Sequence, residues 1–155
     1  ATINGQRVTG INLGMIKLIN GSVDEYAALI GHEVAHWAKG HVDAGRTRSN
    51  TLNAIGTVVG VGLSAAGVPA AGAISGLGVD LIDSSYDRSQ EREADAQSID
   101  YMFANRYNPW GAIRLHEKFL KIDPSLRLPF LSSHPSSEER IQNLKAVIEA
   151  KKSSK

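Results

Sequence analysis

The stretch that decides both the fold and the chemistry is His32-Glu33-Val34-Ala35-His36, in the N-terminal third of a chain of 155 residues. On a helix, residues four positions apart point about 40° from each other, so both imidazoles leave the same face with Cβ atoms about 5–6 Å apart. Two imidazole nitrogens at that spacing can bind one Zn²⁺ ion at roughly 2.0–2.1 Å. Glu33 points about 100° away from His32, so it flanks such an ion and can act as a general base toward water.

The residues around this motif predict the helix that the chemistry needs. Ser22-Val23-Asp24-Glu25 has the form of a capping box, in which the Ser hydroxyl and the Glu carboxylate satisfy each other's backbone amides. Apolar side chains follow at helical spacing, and Gly40 is a typical C-terminal stop. We therefore predict a helix over residues 23–39, and this context disfavours the alternative of two unrelated surface histidines.

A catalytic zinc site needs a third protein ligand and an open fourth position. His41 would lie about 140° around the helix from His36, so we exclude it as a ligand and expect it to stabilise the helix end. The better donors are the carboxylates of Glu91 and Asp95, four residues apart on one face, whereas Glu93 points about 200° from Glu91. One carboxylate would bind the ion and the other would orient an imidazole. Spacing alone does not assign these roles, and a solvated charged face is the alternative.

The remaining sequence predicts a mostly helical α+β fold. An Asn-Gly turn followed by residues 7–13 predicts a short hairpin or a pair of edge strands. Apolar periodicity predicts further helices over residues 86–106 and 110–121. A last helix is expected after Ser137, in a segment whose two serines and two glutamates are typical of a helix start.

The middle of the chain carries an uncharged, Gly/Ala-rich segment over residues 51–79. Pro69 divides it into halves of about 13–16 residues, too short for a membrane span of about 20. We expect a helical hairpin that covers the cleft or lies near a membrane, and a flexible loop is the alternative because glycine disfavours helix. The whole of residues 1–150 is predicted to form a single catalytic domain, and residues 151–155 a disordered tail.

Composition excludes several classes of protein. Apolar residues make up 42% and charged residues 21%, which is ordinary globular usage and argues against disorder over most of the chain. The net charge of +1 gives no reason to expect nucleic-acid binding. The absence of cysteine excludes disulfide scaffolds, Cys-type zinc fingers and thiol catalysis. No secretion signal follows Ala1, so we expect a processed form whose targeting segment is not part of this sequence.

Three motifs in this order resemble the HtpX, Oma and Ste-type zinc metallopeptidases, a gluzincin-like family related to the CAAX prenyl proteases. The likeness is strongest to its BepA- and LoiP-type periplasmic quality-control members and covers residues 8–148. It rests on His32-Glu33-Val34-Ala35-His36, then Glu91-Arg92-Glu93-Ala94-Asp95, then Ser133-His134-Pro135 with Arg140.

The resemblance implies a role for each matching residue. It implies a gluzincin-like domain with one zinc ion per chain, held by His32, His36 and Glu91. Glu33 would be the general base, and Asp95 would orient a ligating imidazole. Glu93 has no implied role.

Three further residues have competing interpretations. His134 would face the metal cleft, either donating to the oxyanion of the tetrahedral intermediate or taking the fourth zinc position in a resting form, and plain helix capping is the alternative. Arg140 is a candidate for binding substrate or the oxyanion, although a surface arginine is the default. His116 lacks a second histidine at helical spacing and is expected to be a surface or packing residue.

Together these features predict a zinc metalloendopeptidase that cleaves protein substrates, with misfolded or unassembled envelope proteins as the expected class. An extended polypeptide would add as a strand to residues 7–13. The resemblance implies a bacterial envelope location, periplasmic or membrane-associated, and the sequence defines no oligomeric state. Two rival functions remain: a zinc-binding chaperone or assembly factor whose site is blocked, and a membrane-associating protein whose residues 51–79 insert into lipid.

Overall fold

The computed structural model describes residues 2–3, 6–7, 9–42, 86–123 and 128–154. Within these ranges the chain is mostly helical, as predicted. Its helices are α1 Leu13–Ile19, α2 Val23–Ala38, α3 Arg88–Ala104, α4 Trp110–Leu120, α5 Pro129–Ser133 and α6 Glu138–Ser153.

The predicted N-terminal edge strand is not supported. Two-residue strands, β1 Thr2–Ile3 and β2 Gln6–Arg7, pair antiparallel, with Thr2 opposite Arg7. Residues 9–12 belong to no strand, and Leu13 already begins α1. The physical reason is a cap: the Asn12 side chain accepts a hydrogen bond from the Met15 backbone amide at 2.9 Å, which starts a helix where the sequence predicts extended chain.

The centre of the molecule is the long helix α2, which packs against α3 and α4, and α6 also packs against α3 and α4. A tight approach between α2 and α4 depends on Gly111, because a Cβ atom there would lie 2.6 Å from the backbone carbon of Asp24. The fully buried side chains of this core include Met15, Ile19, Ile99, Met102, Leu144 and Ile148. This packing holds α2 and α3 side by side, so that the face of α2 with His32 and His36 lies against the face of α3 with Glu91 and Asp95.

Helix α2 begins and ends where the sequence predicts, but its predicted capping box is wrong. Ser22 makes no side-chain cap, and the Glu25 side chain is buried. The Glu25 carboxylate instead accepts a hydrogen bond from Lys118 Nζ at 2.6 Å, so a tertiary ion pair replaces the predicted capping hydrogen bond. A capping box is present at the start of α3, where Asp87 and Gln90 satisfy each other's backbone amides.

The other predicted helices are present, and α3 and α4 are slightly shorter than the predicted ranges. The prediction over residues 86–106 corresponds to α3, and that over residues 110–121 to α4. Ser137 caps α6 by accepting a hydrogen bond from the Arg140 backbone amide at 3.2 Å. Helix α6 continues to Ser153, so residues 151–153 are helical rather than part of a disordered tail.

The Gly/Ala-rich segment over residues 51–79 lies outside the described residues, and its predicted hairpin stays a prediction. Among the helices that the structure describes, none has the length and apolar character required to span a bilayer.

Candidate metal centre

Helices α2 and α3 bring three predicted ligands together. Nε2 of His32 lies 3.0 Å from Nε2 of His36, because the two rings leave the same face of α2 one turn apart. The Glu91 carboxylate comes from α3, with Oε1 at 3.2 Å from His36 Nε2 and Oε2 at 3.5 Å from His32 Nε2. All three side chains are buried. Two imidazole nitrogens and one carboxylate therefore meet at one point between the helices.

The ring nitrogen of His32 that carries the proton determines what can bind between these three side chains. Its other ring nitrogen, Nδ1, lies 3.0 Å from Oδ1 of Asp95, and a carboxylate at that distance favours a proton on Nδ1. In the neutral ring Nε2 then carries a lone pair directed at His36 Nε2 and Glu91. Lone pairs that converge at about 3 Å repel one another unless a cation lies between them. Either an additional proton or a metal ion satisfies this arrangement.

The ionisation of two carboxylates, those of Glu91 and Asp95, also favours a bound cation. Burial raises the pKa of Glu91, but hydrogen bonds with His134, His32 and His36 outweigh it and hold that pKa well below its usual range. Burial opposes ionisation of Asp95 as well, yet its bonds with His32 and Arg140 lower its pKa to about 2. Both carboxylates are therefore charged at neutral pH, and they create a negative site for a cation.

The two histidines of α2 differ in their environment. Burial lowers the pKa of His36 to about 4, against the hydrogen bond with Glu91 that raises it. Burial also disfavours charge on His32, but Asp95 and Glu91 together raise its pKa to about 9. Without a metal ion, the proton that relieves the converging lone pairs therefore resides on His32. A metal ion entering the site displaces that proton.

His134 joins this group from the loop between α5 and α6. Its Nδ1 lies 2.9 Å from Glu91 Oε1 and 3.2 Å from His32 Nε2. Its ring stacks on the ring of Phe130 with centroids 4.5 Å apart. The centroid of the Tyr86 ring lies 4.9 Å from that of the His134 ring. The Tyr86 ring also covers His36, with centroids 3.8 Å apart. His134 is thus a buried member of the cluster, which a plain helix cap is not.

Glu33 lies beside the cluster rather than in it. Its Oε1 is 3.3 Å from Nε2 of His134 but makes no hydrogen bond to any part of the chain that the structure describes. Glu33 and His134 line a cleft of about 300 Å³, and residues 9–12 line it as well. A buried, unbonded carboxylate oxygen at the edge of an open cleft is placed to accept a proton from a bound water molecule.

The interpretation of Arg140 as a substrate or oxyanion residue needs correction. Its guanidinium is buried, with Nε at 2.9 Å from Asp95 Oδ2 and Nη2 at 2.7 Å from Asp95 Oδ1. Nη1 contacts Glu91 Oε2 and donates to the Pro135 carbonyl. Every nitrogen of the side chain is thus engaged with the protein. Arg140 is neither a surface residue nor a free donor; it holds the carboxylates of Glu91 and Asp95 in place.

The other two histidines are buried next to the cluster. Nδ1 of His41 lies 3.1 Å from Nδ1 of His36, on the side of that ring facing away from Glu91, and its Nε2 lies 3.6 Å from Glu93. His116 hydrogen-bonds Ser136 at 3.0 Å, and so it is the packing residue that the sequence predicts. Sequence reasoning did not single out Tyr86 or Phe130, since aromatic residues in a loop and a short helix carry no periodic signal.

The residues present fit a transition-metal ion. One ligand atom from each of four residues lies within 4.8 Å of the others, and these residues are His32, His36, Glu91 and His134. Imidazole nitrogens with one carboxylate oxygen form the ligand set of catalytic zinc sites, and the set also suits Mn²⁺, Co²⁺ or Fe²⁺. Buried anionic charge and converging lone pairs supply the affinity for a cation that such a site requires.

Comparisons with known proteins point to the same chemistry. The sequence model of peptidase family M48 matches residues 3–148. Metalloprotease LoiP of Escherichia coli (strain K12) is 30% identical over 137 residues, which cover 85% of this chain and 54% of that protein. Metalloprotease YcaL of the same strain is 25% identical over 137 residues, with the same coverage. The chain thus spans about half the length of these relatives. No solved structure matches it significantly.

Proposed function

This chain belongs to peptidase family M48, in agreement with the resemblance seen in its sequence, and we propose that it is a zinc metalloendopeptidase that cleaves protein substrates. Residues 1–150 would form one gluzincin-like catalytic domain. The observation that carries the proposal is the convergence of His32, His36 and Glu91 from two helices onto one buried point, with Asp95 behind His32.

In this proposal His32, His36 and Glu91 hold one zinc ion. Zinc, when bound, polarises the scissile carbonyl and makes the attacking water more acidic. Glu33 lies at the edge of the cleft, where its Oε1 accepts the proton of that water and later passes it to the leaving amine. Asp95 keeps His32 in the tautomer with Nε2 unprotonated, and Arg140 fixes Asp95 and Glu91 against α6.

Residues 9–12 line the cleft together with Glu33 and lead into α1, and the backbone of Asn12, the N-cap of α1, is extended. Although they form no strand within the chain, their backbone can pair with an extended substrate segment. Recognition would then use mostly main-chain groups, and it would accept many sequences. We therefore propose misfolded or unassembled envelope proteins as substrates and, from the family resemblance, a bacterial envelope location.

A test compares the wild type with Glu33→Gln, using casein as the substrate. The variant keeps the size of the side chain and removes the base, so we expect cleavage to fall at least 100-fold while zinc binding is retained. Zinc content measured on both proteins is the control. Equal activity in both would contradict the role of Glu33, and equal inactivity with zinc bound in both would favour a non-enzymatic role.

One observation favours a second candidate function, a zinc-binding chaperone or assembly factor with a blocked site. His134 Nδ1 is already within 3.2 Å of both Glu91 and His32, where it can take the fourth metal position. His134→Ala separates the alternatives. Casein cleavage rises if His134 blocks the site, whereas it falls 10-fold or more if His134 stabilises the oxyanion.

The membrane-associating alternative depends on residues 51–79 alone. Flotation of the protein with liposomes, with and without these residues, is the measurement that tests it. If neither form floats, that function is excluded.

A further inference from the structure

We propose that His41 and Glu93 form a second positioning chain, which orients His36 toward the metal ion as Asp95 orients His32. The inference rests on the proposed zinc site. Nδ1 of His41 lies 3.1 Å from Nδ1 of His36, and both rings are buried. The two ring planes are at 70° with centroids 5.1 Å apart, so one ring presents its edge to the other rather than stacking on it.

The ligand geometry decides which nitrogen of His36 carries the proton. Nε2 of His36 faces His32 and Glu91, at 3.0 and 3.2 Å, so Nε2 is the atom that meets the ion. A neutral imidazole that ligates through one nitrogen carries its proton on the other. His36 must therefore donate from Nδ1, and within the part of the chain that the structure describes the acceptor in reach is Nδ1 of His41.

This hydrogen bond requires one particular form of His41. To accept at Nδ1 the His41 ring must be neutral and carry its proton on Nε2. Nε2 lies 3.6 Å from Oε2 of Glu93, which has no proton to donate when it is ionised. The Glu93 carboxylate therefore favours the tautomer of His41 that accepts from His36. Each ligating imidazole of α2 then has a carboxylate from α3 behind it, Asp95 directly and Glu93 through His41.

The turn after α2 explains why helical spacing fails to predict this contact. Residues five apart on a continuous helix are about 140° apart, so His41 would point away from His36. The helix instead ends at Ala38, and Gly40 adopts a positive φ of 73° that most other residues disfavour. The chain therefore leaves the path of α2 at this turn, and His41 contacts His36. Likewise Glu93 points away from Glu91 along α3, toward His41.

The test is zinc affinity, measured by competition with a chromogenic chelator. His41→Phe keeps a ring and removes the acceptor, and we expect zinc affinity to fall about 10–100-fold, the usual effect of losing such a partner. His41→Asn places an amide oxygen close to the position of Nδ1, and we expect it to stay within about threefold of the wild type. Glu93→Gln is expected to lose about 2–5-fold, whereas the exposed Glu149→Gln should lose nothing.

A purely structural role of His41 would lower the stability of the metal-free form without this selective pattern. Urea unfolding in EDTA and the visible spectrum of the Co²⁺ form separate the two effects. Should His41→Phe fail to fold, the exposed Glu93 still tests the chain. Zinc affinity of His41→Phe, or of Glu93→Gln if that variant alone is measurable, equal to the wild type would overturn the proposal. A wild type that binds zinc no better than His36→Ala would instead overturn the zinc site itself.

Discussion

At the scale of single residues, two side chains of the centre, His32 and Glu91, each contact a further residue behind them. Asp95 contacts the far nitrogen of His32, and Arg140 contacts both Asp95 and Glu91. Helical spacing predicts the placement of His32, Glu33 and His36, because all three lie within one turn and a half. It does not predict Arg140, whose contacts form only when α6 packs against α3, 45 residues away.

Replacing Arg140 tests how much this contact stabilises the fold. Arg140→Met leaves two buried carboxylates with one positive partner fewer, so we expect the free energy of unfolding of the metal-free protein to fall by about 3 kcal/mol or more. Arg92→Met is the matched control, because Arg92 forms an exposed pair with Glu139 at 3.4 Å, and its loss should change stability by less than about 1 kcal/mol. Urea unfolding in EDTA measures both, and equal losses would contradict the account.

The pH dependence of stability tests the buried state of His116. Burial, with the charge of Arg140 adding to it, lowers the pKa of His116 from 6.5 to about 4. The unfolded chain therefore binds a proton at a higher pH than the folded one, and stability falls as the pH is lowered through this window. We expect His116 to account for about 2 kcal/mol of the decrease in the free energy of unfolding between pH 7 and pH 5.

His116→Gln removes that titration, so its unfolding free energy should fall by about 2 kcal/mol less than that of the wild type between the two pH values. Denaturant titrations in EDTA at pH 7 and pH 5 check this difference. An identical pH dependence in the two proteins would show that His116 does not contribute it.

At the scale of elements, apolar periodicity predicts α2, α3, α4 and α6 because each buries one face. Of the two errors, one lies where a tertiary contact replaces a local one, and the other where one local contact replaces another. Glu25 has the spacing of a capping box with Ser22, yet its carboxylate is buried against Lys118. The predicted strand over residues 7–13 fails because Asn12 caps a helix instead. A local sequence pattern around Glu25 carries no information about Lys118, its partner 93 residues away in the sequence.

Lys118 connects three helices. Its Nζ donates to the carbonyls of Leu18 and Ile19 at the end of α1, at 3.1 and 3.2 Å, and to Glu25 on α2. Among the described residues, Lys118→Met leaves Arg114, at 3.6 Å, as the remaining cation beside the buried Glu25, and we expect a loss of about 3 kcal/mol in stability.

The exposed Lys121 at the end of the same helix supplies the control, and Lys121→Met should cost less than about 0.5 kcal/mol. The double variant Lys118→Met/Glu25→Leu should regain much of the loss, since it buries no charge without a partner. Thermal and urea unfolding measure all three. A double variant less stable than Lys118→Met would contradict this interpretation of the ion pair.

At the scale of the whole molecule, helices from distant parts of the sequence bring four potential ligand atoms within 4.8 Å. The residue types and their spacing predict which side chains take part, because metal chemistry restricts the donors to histidine and carboxylate in a cysteine-free chain. The wall of the cleft and the aromatic rings around His134 could not be predicted, since they depend on how segments without periodicity pack. The family model matches residues 3–148, and a single catalytic domain over residues 1–150 stays a prediction.

We propose that His32, His36 and Glu91 together hold one metal ion, and the zinc content of the protein is the measurement that tests this. Wild type, Glu91→Ala and the exposed control Glu149→Ala are dialysed with zinc and then against a weak chelator, and zinc per chain is measured by mass spectrometry. We predict about one zinc ion per chain in the wild type and the control, and a value well below one in Glu91→Ala. Equal zinc content in Glu91→Ala and the wild type would contradict the claim.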